Sequence, residues 1–503
     1  MSLLRPVVST ARPLGSCAQH RLSRMPLKAR IQNAAVAGTR HYIQTTKIEE
    51  LVKEQPGDEP DDVVFNSLYG LRTIELNRPK KLNSLNGSMA RKIIGRLKEW
   101  ESSDLANTIV IQGRGRAFCA GGDVAALANW NKEGKDGQKK SNEYFALEYK
   151  LDHMIARYKK PYIAYMDGIT MGGGVGLSLH APFRIATENT VFAMPETTIG
   201  FFPDVGGSFF LPRMDGEMGT YLALTSEQLK GVDVFYHGIA THYLHSSSLP
   251  ELSERLAQLQ FKDYAPMAER LELIDSTISE FTTALPAPRP SITGAQRKAI
   301  DEAFRVPPTG TVSIAEAPLQ ILKALQDVAG GHADESVRSW AEKTIKTIRE
   351  RSPIAVAVTL QQMRLGSGWS IIQTFQAEHD IAAAFMAHPD FVEGVTARLI
   401  ERKKERPNWQ PNQLEDVTED MVRGFFRKGL GGGLKLLDNL PGADYKEYPW
   451  KKLALPTEDE ILEVAGRGKQ TMMTEEVVQH FLKERKGKVG VREKVEEVLE
   501  RHS

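Results

Sequence analysis

The sequence predicts an α/β fold of stacked βα or ββα units followed by a mainly helical C-terminal region. Three observations carry this. Short apolar runs such as "TIVIQG" and "PYIAYMDG" have the composition of buried strands. Glycine clusters, "CAGGDV" (119–124) and "TMGGGVG" (170–176), follow such strands and open helical patterns. From about residue 215 the strand signals give way to amphipathic stretches such as "SWAEKTIKTIRERSP".

The N-terminus reads as a targeting segment. The first 48 residues contain no Asp or Glu, and Arg5, Arg12, Arg21, Arg24, Lys28, Arg30 and Arg40 are spaced among Ser, Ala and Leu. That is the composition of a mitochondrial transit peptide, assigned to residues 1–46, with processing expected after Tyr42 and residence in the matrix. Such an arm can also bind nucleic acid. Processing after Tyr42 leaves 58 basic against 64 acidic residues, a net charge of −6. That charge argues against direct nucleic-acid binding by the mature chain.

The core is expected over residues 47–260. "DVVFNSLYGLRTIELNR" (62–78) reads as two strands around a Tyr69-Gly70 turn, ended by Pro79. Met89, Ile93, Ile94, Leu97 and Trp100 then recur at helical spacing. Residues 129–142 read as a charged, mobile insertion ahead of the helix "EYFALEYKLDHMIARY". "FRIATENTVFAMPE" supplies further strand. Residues 261–427 form a helical part, in which 284–312 reads as a surface connection. Residues 428–503 form a linker, through about 454, and a helical appendage in which no chemistry is identifiable.

Several classes are disfavoured. No run of 18 apolar residues occurs, so no transmembrane helix and no membrane partner are expected. Two cysteines, Cys17 and Cys119, cannot form a disulfide framework, and neither CxxC nor HExxH is present, so no metal is expected. No G-x-S-x-G pentapeptide marks a serine hydrolase. His153 and His180 lie in apolar contexts and read as satisfied structural histidines. Cys119 reads as a small packing residue. Lys80 and Lys81 read as solvated side chains or as partners for an anionic ligand.

The glycine clusters carry the chemistry. Glycine lets backbone N–H groups approach a ligand closely, and two such loops side by side can aim two donors at one oxygen. A dinucleotide turn needs G-x-G-x-x-G, but from Gly172 the sixth position is Leu177. The stretch "MPETTIGFFPDVGG" (194–207) adds Glu196 and Asp204 in apolar surroundings, where unpaired carboxylates are costly and shift upward in pKa.

Together "IELNRPKKLNSLN", "GRGRAFCAGGDV", "DGITMGGGVGLSLHAPFRIATENTVFAMPETTIGFFPDVGG" and "DFVEGVTARLIERKKERPNW" resemble the crotonase, or enoyl-CoA hydratase/isomerase, superfamily, in order from about residue 62 to 410. The resemblance implies a crotonase-like spiral of ββα units. It also implies an acyl-CoA substrate, with no cofactor beyond the CoA that the substrate carries. The backbone N–H groups of Gly122 and Gly173 would form the oxyanion hole. Hydratases of the superfamily place one catalytic glutamate where this chain has Gly176, and a second at Glu196. One of the pair is therefore missing, and Asp204 stands where glycine is usual. "GITMGGGVGLS" with "MPETTIGFFPDVGG" is similar to the 3-hydroxyisobutyryl-CoA hydrolase branch, a thioesterase of valine breakdown. On that resemblance Glu196 is nucleophile or general base and Asp204 its catalytic partner. Glu148 is a substrate-binding carboxylate alongside Gly173, Glu196 and Asp204. Relatives of this branch also occur as proteins of the mitochondrial small ribosomal subunit, which implies that subunit as an alternative partner. Hydratase or isomerase activity is disfavoured by Gly176.

Overall fold

Among the described residues there are ten strands, most of them built from the apolar runs: β1 (Val63–Leu68), β2 (Leu71–Leu76), β3 (Thr108–Gly113), β4 (Ala117–Ala120), β5 (Tyr162–Met166), β6 (Ile169–Met171), β7 (Phe183–Ala186), β8 (Val191–Ala193), β9 (Leu229–Lys230) and β10 (His242–Tyr243). The computed structural model describes residues 48–503 apart from 263, 287–288, 293, 306–311, 438–443 and 467–471, so the predicted leader lies outside the described residues. The chain divides into two units, 1–53 and 54–503. Of the first, a helical turn over 48–51 is described.

In the second unit β1 and β2 form the expected hairpin, antiparallel, with Val63 opposite Leu76. The strands then sort by repeat. β3 and β4, β5 and β6, and β7 and β8 are consecutive pairs, and each sends its first strand to one sheet and its second to another. The larger sheet has the order β1-β2-β3-β5-β7-β10 and the smaller β4-β6-β8-β9. Successive repeats pair in parallel in both sheets. This is the spiral of ββα units. One face of the larger sheet buries Val110, Ile163 and Phe183 with Leu249, Leu252 and Ile274 from the helices Leu249–Ala257 and Met267–Ser279. Parallel strands covered in this way read as continuous apolar runs, as "TIVIQG" does.

Helix α1 (Gly87–Ser102) starts where the Asn86 side chain accepts from Met89 N–H, and it buries all five of its predicted apolar positions. After α2 (Val124–Asn131) comes α3 (Lys135–Ala156), which takes in much of the stretch expected to be mobile. The reason is a buried polar pair: Ser141 Oγ donates to Asn131 Oδ1 at 2.7 Å and ties the two helices together. Residues 173–179 form α4 (Gly173–Leu179), which begins within the second glycine cluster. The stretch 284–312, read as a connection, contains the helix Gly294–Ala303, whose Arg297 is buried.

Two C-terminal helices reach the middle of the molecule, α5 (Pro353–Gly366) and α6 (Ile371–Ala387). The described residues of 428–454 lie along the core. Asp380 accepts from Gly429 and Gly431 N–H, both at 2.8 Å, and Ile371 N–H donates to Tyr445 O at 2.9 Å. The appendage, α7 (Glu458–Gly466), α8 (Thr474–Glu484) and α9 (Val491–His502), buries Ile461, Phe481, Val491, Val495 and Val498. It is joined to the core by a part-buried ion pair, Lys494–Asp215 at 2.7 Å, and a buried one, Arg297–Glu458 at 3.1 Å. No described helix is long and apolar enough to cross a membrane.

Candidate active site

The two glycine clusters lie against each other because β4 and β6 pair in parallel and each leads into its cluster. In the first cluster, Leu85 N–H donates to Gly121 O and Asp123 N–H donates to Leu85 O, both at 2.8 Å. Alternation along extended backbone then turns the Gly122 N–H away from Leu85. In the second, Gly172 (φ +45°) precedes α4, and the Val175 and Gly176 amides donate back to its carbonyl. Gly122 and Gly173 N–H donate to no acceptor among the described residues.

These glycines are required by space. A Cβ on Gly173 would lie 3.3 Å from Gly122 N and 2.6 Å from Glu148 Oε1. One on Gly172 would lie 3.0 Å from Glu196 Oε1. Gly122, Gly173, Glu148, Glu196 and Asp204 all line one cavity of about 270 Å³, whose remaining wall is largely apolar, with Leu127, Phe145, Met171, Ile199 and Phe201. The structure thus brings together every predicted site residue. Glu148 is 2 % exposed, so its helix face is interior.

Three carboxyls in an apolar cavity cannot ionise independently. Burial, and then the charge of Asp204, push Glu148 and Glu196 well above the usual carboxylate range. Burial lifts Asp204 from 3.8 to about 7, opposed by the Tyr149 hydroxyl, which donates to its Oδ2 at 2.7 Å. Glu148 Oε1 and Glu196 Oε2 are buried without a hydrogen-bond partner. Buried oxygens without a partner are costly and call for an explanation.

Several residues of this region were not singled out in the sequence. Tyr149 fixes Asp204. Tyr144 donates to Leu85 O at 2.9 Å and so braces the first glycine cluster. Asp152 lies behind Glu148, one helical turn on, and is fully buried. The signal for Tyr144 and Asp152 was the spacing 144, 148, 152, which puts three polar groups on one face of α3. Gly176 meets Asp152: a Cβ there would lie 2.6 Å from Asp152 Oδ2. The space beside this position therefore holds a carboxylate from another helix.

The remaining candidates are structural. His180 is buried, its ring pushed down to about 4 by that burial, and its Nε2 pairs with Val205 O at 2.9 Å. His153 is fully buried and packs edge-on against Phe375. Lys81 is exposed and pairs with Asp123 at 3.5 Å.

The family model for enoyl-CoA hydratase/isomerase matches residues 71–426. The small ribosomal subunit protein mS47 of Neurospora crassa is 52% identical over 482 residues, 95% of this chain and 91% of its own. The mitochondrial 3-hydroxyisobutyryl-CoA hydrolase of Gallus gallus is 41% identical over 381 residues, 75% of this chain and 92% of its own. Among solved structures, a carnitinyl-CoA dehydratase from Mycobacterium thermoresistibile superposes with a TM-score of 0.61 at 33% identity, over 73% of this chain and 96% of that one. The protein is mitochondrial, in keeping with these relatives. Paired ββα repeats, abutting glycine clusters and a match along most of the sequence lead to one conclusion: the chain belongs to the enoyl-CoA hydratase/isomerase family.

Proposed function

We propose that this chain is a component of the mitochondrial small ribosomal subunit whose acyl-CoA site is still competent for thioester hydrolysis. The ribosomal part is supported by the Neurospora relative. Its 95% coverage of this chain leaves too few residues unmatched to omit the whole segment after residue 428, whereas the chicken hydrolase covers 75%. The hydrolytic part is carried by one observation: Glu148, Glu196 and Asp204 meet at a cavity lined by Gly122 and Gly173.

The proposed substrate is 3-hydroxyisobutyryl-CoA or a similar short 3-hydroxyacyl-CoA. Its thioester oxygen receives the Gly122 and Gly173 N–H groups. A water adds its oxygen to the carbonyl carbon while its proton passes to Glu196, which shares its charge with Asp204. The tetrahedral oxyanion is held by the two amides. Its collapse breaks the C–S bond, and the CoA thiolate leaves and takes the proton from Glu196. The products are the free acid and CoA. Asp204, fixed by Tyr149, orients the water or the 3-hydroxyl, and Glu148 lies beside Gly173 at the thioester. The missing hydratase carboxylate at Gly176 is consistent with hydrolysis over water addition.

Two experiments test the two parts. Purified protein is expected to release free thiol from 3-hydroxyisobutyryl-CoA, and absence of release refutes the hydrolase. Native protein from mitochondrial lysate is expected to sediment with small-subunit particles on a sucrose gradient. Recovery only at the top of the gradient refutes the ribosomal assignment.

A further inference from the structure

Asp204 stands on a loop that cannot hold its own shape. Val205 has φ +53° and Gly206 φ +89°, and a β-branched residue disfavours the left-handed region. The loop must be held by side chains from elsewhere, and three do so. The His180 ring pairs with Val205 O. Gln362 of α5 donates from Nε2 to Pro203 O at 2.6 Å and to Ser208 Oγ at 2.7 Å. Glu378 of α6 makes the largest set of bonds: Oε2 accepts from Gly206 N–H at 2.8 Å, and Oε1 accepts from Ser208 N–H at 2.9 Å and from Ser208 Oγ–H at 2.6 Å.

The protonation pattern gives these bonds a direction. Ser208 Oγ already accepts from Gln362, so its hydrogen points at Glu378. Glu378 therefore faces three donors and is used as an acceptor at both oxygens. It is fully buried, and no described cation lies within ion-pair distance of it. A buried acid with no countercharge is costly to keep, and a residue of similar shape without charge would fill the space at less cost. Its three bonds all go to residues 206–208, immediately after Asp204.

We infer that Glu378 is a positioning residue for Asp204: it clamps the loop so that the Asp204 carboxyl meets the Tyr149 hydroxyl and points into the acyl cavity. Glu378 itself does not line the cavity, so it acts on the chemistry through the loop and not by touching substrate. A glutamine at 378 would turn an NH2 group toward one of the three donors, leaving it unpaired and the loop free to relax.

The kinetic arm of the test rests on the hydrolase reading. Glu378→Gln is expected to lower kcat for CoA release by about 100-fold, the scale of a roughly 1 Å misplacement, with KM changed less than about threefold. Binding of a thioether analogue of the acyl-CoA is expected to keep full stoichiometry, which partial unfolding would not. In an Asp204→Asn background the same substitution is expected to cost less than about threefold more, because both act through one group. An unchanged kcat overturns the inference, as does a full further loss in the Asp204→Asn background. A second arm needs no turnover. Amide hydrogen exchange over residues 203–210 is expected to speed up by about tenfold or more in Glu378→Gln, with the rest of the chain unchanged. If wild-type protein releases no CoA, the hydrolase reading fails and this arm alone decides. Unaltered exchange there overturns the clamp.

Discussion

Replacing Asp204 with asparagine is expected to stabilise the protein above neutral pH while removing its chemistry. Burial raises the Asp204 pKa from 3.8 to about 7, so the folded chain holds this proton more tightly than the unfolded chain does. The stability this provides is fully present below pH 3.8, declines as pH rises, and is lost once pH passes about 7. A shift of about three pH units at about 1.36 kcal/mol each is a loss of about 4 kcal/mol, of which about 2–3 kcal/mol falls between pH 5 and 8.5. Asparagine has no proton to lose, and its carbonyl oxygen can still accept from Tyr149, so that hydroxyl keeps its partner. Glu148 and Glu196 lose a like charge at the same time, which acts in the same direction. Urea midpoints of wild type and Asp204→Asn at the two pH values measure the effect. The variant's advantage should widen by about 2–3 kcal/mol from pH 5 to 8.5. An advantage of the same size at both pH values would mean that Asp204 is already ionised at pH 5 in the folded protein, and the account of a proton-sharing cluster would be wrong.

Other substitutions address the remaining parts of the site. Glu196→Gln should nearly eliminate CoA release, and the Glu196→Gln/Asp204→Asn double variant should be little slower than Glu196→Gln alone; multiplicative losses would separate the two roles. Gly173→Ala would place a methyl 2.6 Å from Glu148 Oε1, displacing the carboxylate and the loop, with an expected loss of about 100–1000-fold in kcat, and activity within tenfold of wild type would remove the oxyanion assignment. Gly176→Glu should create no hydratase, because its first side-chain carbon would meet the Asp152 carboxylate, not Asp204; a folded variant that hydrates an enoyl-CoA would refute this. Ending the chain at residue 427 should yield aggregated protein, since it removes the buried Phe481, Val491, Val495 and Val498 and takes from Asp215 and Arg297 their buried partners Lys494 and Glu458; a monodisperse, active product would show the appendage to be dispensable.

What could be read in the sequence divides along physical lines. The ββα repeat, α1 and the two glycine clusters were legible because each is local: strand runs, helical spacing and glycine density all fall within about twenty residues. Glu196 and Asp204 were legible because carboxylates in apolar sequence demand an explanation. Tyr149 was not, since a tyrosine in an amphipathic helix has no mark that distinguishes a hydrogen-bond donor from a core residue. Nor was Glu378, which lies 170 and 172 residues from the two amides it binds. Residues 428–454 looked like a linker because their glycine and proline content is that of an exposed connection. Their contacts with Asp380 and Ile371 depend on a backbone path that composition does not encode.

Cys119 is the last residue but one of the first strand of the smaller sheet, fully buried beneath the second glycine cluster: a Cβ on Gly174 would lie 2.9 Å from its own Cβ. Burial pushes its thiol up to about 12. At pH 8 that leaves about one molecule in ten thousand as thiolate, the only form that attacks disulfides or peroxide at a useful rate. A cavity that releases CoA would be bathed in free thiol, and in its disulfide whenever the compartment is oxidised. A reactive cysteine beside the acyl group would become capped by its own product. The wall built on Cys119 is instead redox-silent, so the site should keep its activity under oxidative conditions that disable low-pKa thiol enzymes nearby.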